Sequence, residues 1–190
     1  MIKIRPLSVA DQALLATALD LLNRTQGDGL FEPDYLTKRI GDPRQLVLGA
    51  IDSDLLVGVA VAELIDNFDY YLPFDPGIVL KMAHKKVASF TTMSVQEEYQ
   101  GRGIGRLLSV QRLEWARKNG CTEVLGVSWE SGKPGTSRRT FEGAGFRAVA
   151  RVPDFYVESS KLKPFNCPGC QRQPCKCSAI FYRLDLVADA

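Results

Sequence analysis

Apolar residues along this chain fall into two periods, and their succession lays out the elements. Residues 2–5 alternate apolar and basic side chains, which predicts a short first strand. Ser8 stands where a helix cap is expected, with Asp11 three residues later near the positive helix end. Leu15, Ala18, Leu19 and Leu22 fall at i, i+3, i+4 and i+7, one helical face, before the loop Gly27-Asp28-Gly29. Residues 34–40 predict a short second helix, closed by Gly41-Asp42-Pro43. Residues 45–51 and 55–65 predict two strands joined by the turn Asp52-Ser53-Asp54, a hairpin.

Residues 66–87 break this rhythm with DNFDYYLPFDP and VLKMAHKK, and read as an insertion ahead of a strand at 88–95. Ile104, Leu107, Leu108 and Trp115 share one face of a helix that Asn119-Gly120 ends. A buried strand at 122–129, a loop at 132–135 and a helix at 136–144 follow, the last stopped by Gly145. Strands at 146–152 and 179–186 close the chain, with a long loop between them. This order predicts a single α/β domain over residues 1–190: a mixed, mostly antiparallel central sheet with helices on both faces.

Bulk properties narrow the class little. A length of 190 residues suits one core, and 45% apolar with 24% charged residues is ordinary for a globular protein. A net charge of +2 does not argue for nucleic acid or membrane. No apolar run is long enough to cross a bilayer, and the start MIKIRPLSVADQ lacks the apolar core of a secretory signal. A cytoplasmic location is the default expectation.

The candidate chemistry begins at YQGRGIGRLL, where Gly101, Gly103 and Gly105 stand with Arg102 and Arg106 at the mouth of a helix. A helix start exposes unpaired N–H groups and partial positive charge, and glycines let an anion approach them closely. A phosphate or pyrophosphate is the natural occupant. A dinucleotide fingerprint beginning at Gly101 would need glycine where Arg106 stands, and the P-loop Gly-Lys-Ser/Thr is absent.

Here the sequence resembles a known family. Gln100-Gly101-Arg102-Gly103-Ile104-Gly105 fits the Q/R-x-x-G-x-G/A signature of the GNAT N-acetyltransferases. Met93-Ser94-Val95 resembles the strand before that loop, and Phe141-Glu142-Gly143-Ala144-Gly145-Phe146 is similar to the family's closing motif. The resemblance implies acetyl-coenzyme A in a splay between the fourth and fifth strands. Met93 and Val95 would offer backbone groups to the pantetheine arm and the thioester carbonyl. Gln100, Gly101, Arg102, Gly103, Ile104, Gly105 and Arg106 would seat the pyrophosphate. The implied reaction is direct attack of an acceptor amine on the thioester.

Departures from the family pattern bear on the proton transfers. Phe141 stands where many members carry a tyrosine general acid, Pro134 where asparagine is common, and Glu97 where proline often follows the strand. Tyr156 is a candidate hydroxyl for the missing acid, and Glu63 a candidate general base on the third strand. His84 reads as a solvated surface residue.

Four cysteines, Cys167, Cys170, Cys175 and Cys177, lie within eleven residues in a C-x2-C-x4-C-x-C pattern. Four thiolates suit structural zinc, with paired disulfides and an iron–sulfur cluster as rivals. The knuckle spans about 158–177 and is expected to shape the acceptor side. Cys121 reads as a core residue. Lys161, Lys163, Arg172 and Lys176 make the loop basic, but aromatic residues there are too few for a nucleic-acid platform. The rings of the insertion, Phe68, Tyr70, Tyr71 and Phe74, are expected to cover the sheet. The partners implied are acetyl-coenzyme A and an amine; a homo-oligomer is compatible with the sequence. Two alternative functions stand beside this one: a coenzyme A-binding sensor without efficient catalysis, and an interaction module built on the knuckle.

Overall fold

A computed structural model describes residues 2–131 and 136–186. Its elements are β1 (Ile2–Pro6), α1 (Gln12–Gln26), α2 (Tyr35–Ile40), β2 (Gln45–Asp52), β3 (Leu55–Ile65), α3 (Ile78–Met82) and β4 (Val87–Val95). They continue with α4 (Ile104–Lys118), β5 (Glu123–Glu130), α5 (Thr136–Gly143), β6 (Arg147–Val152), α6 (Val157–Leu162) and β7 (Ser178–Asp185). The strands form one sheet in the order β1-β2-β3-β4-β5-β7-β6. Only β4 and β5 pair in parallel; the other neighbours are antiparallel. The expected mixed, mostly antiparallel sheet is thus present. The expected loop at 132–135, and Pro134 within it, lie outside the described residues.

Strand alternation sorts the side chains onto two faces. Val59 and Val61 of β3 join Leu15, Ala18, Leu21, Leu22 and Leu36 of α1 and α2 in one core. On the opposite face, Leu48, Ala50, Val57 and Ala60 pack against Ile104 and Leu108 of α4. Ala88, Phe90, Val124 and Tyr182 continue that layer against Leu113, Ala116 and Phe146, with Cys121 buried among them as expected. The insertion returns to the α1 face. Phe68, Tyr71, Phe74, Ile78 and Met82 cover Val87, Leu125, Ala179 and Phe181. Phe68, Tyr71 and Phe74 therefore cover the sheet, whereas Tyr70 is 54% exposed; His84 is exposed too.

Three local expectations change. Ser8 does not cap α1: Asp11 holds the N-cap position, accepts hydrogen bonds from the Ser8 amide and hydroxyl, and pairs with Arg5 at 2.6 Å. That ion pair, first, and the two Ser8 bonds hold the Asp11 carboxyl well below the usual carboxylate range. Leu107 lies 46% exposed, because the buried stripe of α4 runs through Ile104, Leu108, Arg112 and Ala116 instead. The long loop before β7 contains α6, which carries no apolar periodicity of its own: Leu162 is exposed and Ser160 buried.

The decisive irregularity lies in β4. Its register against β3 runs Glu63↔Ser89 and Ala62↔Phe90, then slips so that Val61 faces Thr92 and Thr91 is supernumerary. This is a β-bulge, and it reverses the alternation of the strand. Before it, Ala88 and Phe90 face α4; after it, Met93 and Val95 do. Parallel pairing of β4 with β5 ends at the same place, at Phe90↔Gly126. Beyond that point β5 stays paired with β7 as far as Glu130, so the sheet opens between β4 and β5. The closed end is bolted: the fully buried Glu123 carboxylate pairs with Arg183 of β7 at 2.6 Å and Lys85 at 2.7 Å.

Gly126, the last paired residue of β5, lies under the Phe141 ring, close enough that a Cβ there would overlap it. Phe141 in turn stacks on Tyr182, with centroids 4.8 Å apart and planes 7° from parallel. The Gly126→Ala variant is expected to lose about 1–3 kcal/mol of stability through overpacking, read as a lowered urea midpoint at unchanged m-value.

Candidate functional site

The opening between β4 and β5 has two walls of different kinds. Gln96 donates its backbone N–H to Val57 of β3, so by the two-residue repeat Ser94 and Thr92 also turn their backbone groups to β3. Met93 and Val95 turn theirs to the opening. Their carbonyls are met by side chains: Gln26 Nε2 reaches Met93 O at 3.2 Å, and Gln100 Nε2 reaches Val95 O at 3.1 Å. The two strand residues expected to meet a ligand through their backbones therefore do face the gap. Across it, Val127 and Trp129 are half-buried beyond Gly126.

The glycine stretch stands at the mouth of this gap. Gly101 and Gly103 have φ of 75° and 80°, the left-handed region that other residues enter at a cost. Gly103 is the N-cap of α4 and no side chain caps it. The first intrahelical bond there runs from the Leu107 amide to Gly103 O. The amides of Ile104, Gly105 and Arg106 accordingly begin the helix without helical acceptors. Of the expected seat residues, Gln100, Gly101, Arg102, Gly103 and Arg106 are exposed. Ile104 differs: its side chain is buried in the α4 core, leaving only its amide for a ligand. Arg102 folds back, donating to Glu98 O at 2.8 Å over the Tyr99 ring. Gly105 faces Met93 Cε and Thr140 Oγ1, which a Cβ would meet at 3.5 and 3.6 Å. A Cβ there would sit in ordinary contact with both, so α4, α5 and β4 meet closely at this glycine.

On the α1 face, residues that sequence periodicity did not single out converge on the same strand. Gln26 Nε2, at the end of α1, also donates to Thr92 Oγ1 at 2.6 Å and Ser94 Oγ at 3.0 Å, and Thr25 Oγ1 meets Ser94 Oγ at 2.7 Å. The apolar pattern of VASFTTMSV held one signal: apolar positions 88 and 90 give way to 93 and 95, and the skipped step marks the bulge.

Glu63 lies on this α1 face, one register position before the bulge and opposite Ser89. Burial, first, pushes its carboxyl above the ordinary range; Asp42 adds to this and Arg39 and Arg44 oppose it. Tyr71 hydrogen-bonds Ser89 beside it at 2.8 Å. Tyr156 lies farther along the same face, at the N-cap of α6, hydrogen-bonded to Tyr70. Burial pushes its hydroxyl well above the usual phenol range, so it is neutral at physiological pH. Tyr156 packs with the insertion and the knuckle.

The four cysteines come together. All four sulfurs lie within 4.8 Å of one another, and the pairs Cys167–Cys177 and Cys170–Cys175 are 3.7 Å apart. No disulfide links them. A tetrahedron of sulfurs at about 2.3 Å from one ion has edges of about 3.8 Å, so the set fits a four-thiolate metal centre. Cys167, Cys175 and Cys177 are buried, and amides of Cys170 and Lys176 point at sulfurs. The knuckle also grips the β5 wall of the gap and the loop after α1. A Cβ on Gly169 would overlap Trp129 and Ser131 at the end of β5. Asn166 forms a two-way backbone bridge with Asp28, and Phe165 covers Gly27, beyond α1. The basic side chains of the loop are partly neutralised: Lys161 pairs with Glu158, and Lys163 with Glu32.

Comparison with known proteins agrees with this geometry. A model of the acetyltransferase (GNAT) family matches residues 15–134, more than half of the chain. No curated protein matches by sequence. Solved structures match in fold. The ribosomal-protein-S18-alanine N-acetyltransferase of Escherichia coli is 14% identical, with a TM-score of 0.66 over 100% of this chain and 97% of its own. NAA60 of Arabidopsis thaliana in complex with acetyl-CoA is 16% identical, with a TM-score of 0.71 over 98% and 99%. A Bacillus subtilis acetyltransferase in complex with CoA is 19% identical, with a TM-score of 0.63 over 98% and 100%. At these identities the likeness is one of fold, and the family match reaches from α1 past β5, through the strand gap and the glycine helix start. By that match, the chain belongs to the GNAT family of acetyltransferases.

Proposed function

We propose that this protein transfers the acetyl group of acetyl-coenzyme A to a primary amine by direct attack. The observation that carries this reading is the gap between β4 and β5 with an uncapped helix start at its mouth. In it, the amides of Ile104, Gly105 and Arg106 would take the pyrophosphate, and Arg106 would add charge. The pantetheine would run into the gap between β4 and β5. The Met93 and Val95 peptide groups would bond the arm and hold the thioester oxygen, where negative charge grows as the amine attacks. Structures of fold neighbours with acetyl-CoA and with CoA support acetyl-coenzyme A as the donor.

Glu63 is our candidate for receiving the proton of the attacking ammonium. Its support is its position on the α1 face, one step from the bulge, and a carboxyl raised by burial toward a useful base. Tyr156 is tied to Tyr70, and we assign it to the acceptor wall, from which it can donate only if that bond opens. Phe141 favours one second reading, a coenzyme A sensor with little turnover, since a phenyl ring stacked on Tyr182 gives no proton. Thiol release with a panel of amines separates the two; binding without turnover on every amine would establish the sensor.

The knuckle would hold zinc through Cys167, Cys170, Cys175 and Cys177. Four thiolates leave no open position, so the metal would act as a cross-link and not as a Lewis acid. It would fasten the end of β5 and the loop after α1 around the acceptor, an ordering that a long loop otherwise resists.

Three outcomes are expected. Gly103→Val, which forces a branched residue into the left-handed region, weakens acetyl-coenzyme A binding at least about tenfold by titration calorimetry; complete absence of binding to the unaltered protein would refute the reading. Glu63→Gln lowers kcat by roughly 10²-fold and removes an acid limb. In the unaltered enzyme that limb lies above the ordinary carboxylate range, with activity rising as Glu63 deprotonates. Elemental analysis finds one zinc per chain, and Cys170→Ser raises acceptor KM severalfold while acetyl-coenzyme A affinity changes less than about twofold; equal loss of both would make the metal a support of the fold alone.

A further inference from the structure

Arg112 is a buried cation with no counter-charge among the described residues. It projects from α4 and is 2% exposed. Among the described residues its guanidinium forms no ion pair, and its Nε has no hydrogen-bond partner. What surrounds it is neutral: Nη1 donates to Val61 O at 3.3 Å, and Nη2 to Ser109 Oγ at 3.4 Å and Met93 Sδ at 3.5 Å. The guanidinium carbon lies 3.9 Å above the centre of the Phe90 ring. These contacts are long, and none brings negative charge. Burial pulls the pKa down to about 9, so the group remains mostly cationic at neutral pH.

A leucine or methionine here would pack between Phe90 and Met93 without that cost. An uncompensated buried charge is among the most expensive features a core can carry. The position of the charge is specific. Val61 is the residue at which the β3–β4 register slips, and Phe90 is the last residue of β4 paired with β5. Met93 is the first residue past the bulge whose backbone faces the gap. Arg112 touches all three, so its charge sits where the gap begins.

We propose that Arg112 provides the positive field that receives the departing coenzyme A sulfur, a task left open by Phe141. This rests on the acetyl-transfer reading. In that reaction the amine nitrogen bonds the carbonyl carbon, the carbon–sulfur bond breaks, and its electron pair leaves on sulfur as a thiolate. The amine's proton passes to the base, and water protonates the thiolate after transfer. A tyrosine at position 141 would steady the sulfur by giving a proton. A buried guanidinium does so by charge, and in a water-excluded site that charge is felt strongly. The unpaired Nε and the long, neutral contacts of the resting state leave it capacity for an anion.

The test uses coenzyme A itself, whose thiol has a pKa of about 8.5 when unperturbed. The thiol of bound coenzyme A is titrated by its ultraviolet thiolate absorbance in the unaltered protein, R112M and R112K. Desulfo-coenzyme A, which lacks the sulfur, serves as a control for folding and for the rest of the site. The expected result is a bound thiol at least about one unit below its free value. That shift should be lost in R112M and largely kept in R112K, while both variants bind desulfo-coenzyme A within about twofold of the unaltered protein. In parallel, R112M should lower kcat roughly 10²-fold, and adding F141Y to it should restore part of the rate. An unshifted thiol in the unaltered protein overturns the proposal whatever the variants do. So does a shift that R112M retains; Arg112 would then only fill the carbonyl that the bulge leaves over. Failure of the unaltered protein to bind either coenzyme would refute the acetyl-transfer reading instead.

Discussion

The bulge at Thr91 is the constraint on which the rest of the structure turns. One extra residue in β4 ends its parallel ladder with β5 and reverses which side chains face α4. It leaves the Met93 and Val95 peptides without a neighbouring strand. Unpaired backbone groups inside a sheet are costly, so they must be met by something. Here Gln26 and Gln100 supply side-chain donors to the two carbonyls. A gap lined by such groups suits a ligand that is itself a chain of amides. At the other end of the parallel pair, the buried Glu123 between Arg183 and Lys85 keeps the ladder shut. The opening is thereby confined to one end of the sheet, the end at which α4 begins.

The two faces of the gap have different chemistry. The α4 face offers free amides, exposed arginines and the buried charge of Arg112. The α1 face offers hydroxyls and amides from Thr25, Gln26, Thr92 and Ser94, then Glu63 and the tyrosines of the insertion. An anionic donor and a cationic acceptor would approach from these opposite sides. The cysteine knuckle belongs to the second face. It reaches both the end of β5 through Gly169 and the loop after α1 through Asn166, two segments that no strand pairing joins.

Much of the site was legible because its signals are local. The three glycines at a helix mouth announce a helix start with bare amides through backbone geometry alone, and the cysteine spacing announces a cluster. The strands were readable to within a residue because short apolar runs bounded by turn residues are a short-range signal. Other features were hidden for equally physical reasons. Arg112 reads as one more charge on an amphipathic helix, since nothing in the spacing says that the buried stripe of α4 passes through it. Leu107 misleads in the opposite direction: it belongs to the apolar pattern yet faces outward. Gln26 lies 67 residues from the carbonyl it reaches, a separation over which no periodicity carries information. Helix α6 is ordered by its neighbours, with the buried Ser160 hydroxyl accepting from the Cys175 amide.

By itself, then, the sequence determined the order of the strands and longer helices, the glycine-rich helix start, the four-sulfur cluster and the phenyl ring at position 141. Each depends on residues adjacent in the chain or repeating at a fixed period. The tertiary structure decided which strands part, which peptide groups stay unpaired, and which charges are stripped of water. Those outcomes depend on contacts between segments far apart in the chain, where burial and geometry, not residue type, set the energy of a charge or a carbonyl. Arg112 shows the difference most plainly: its identity is written in the chain, but its lack of a charged partner among the described residues exists only in the fold.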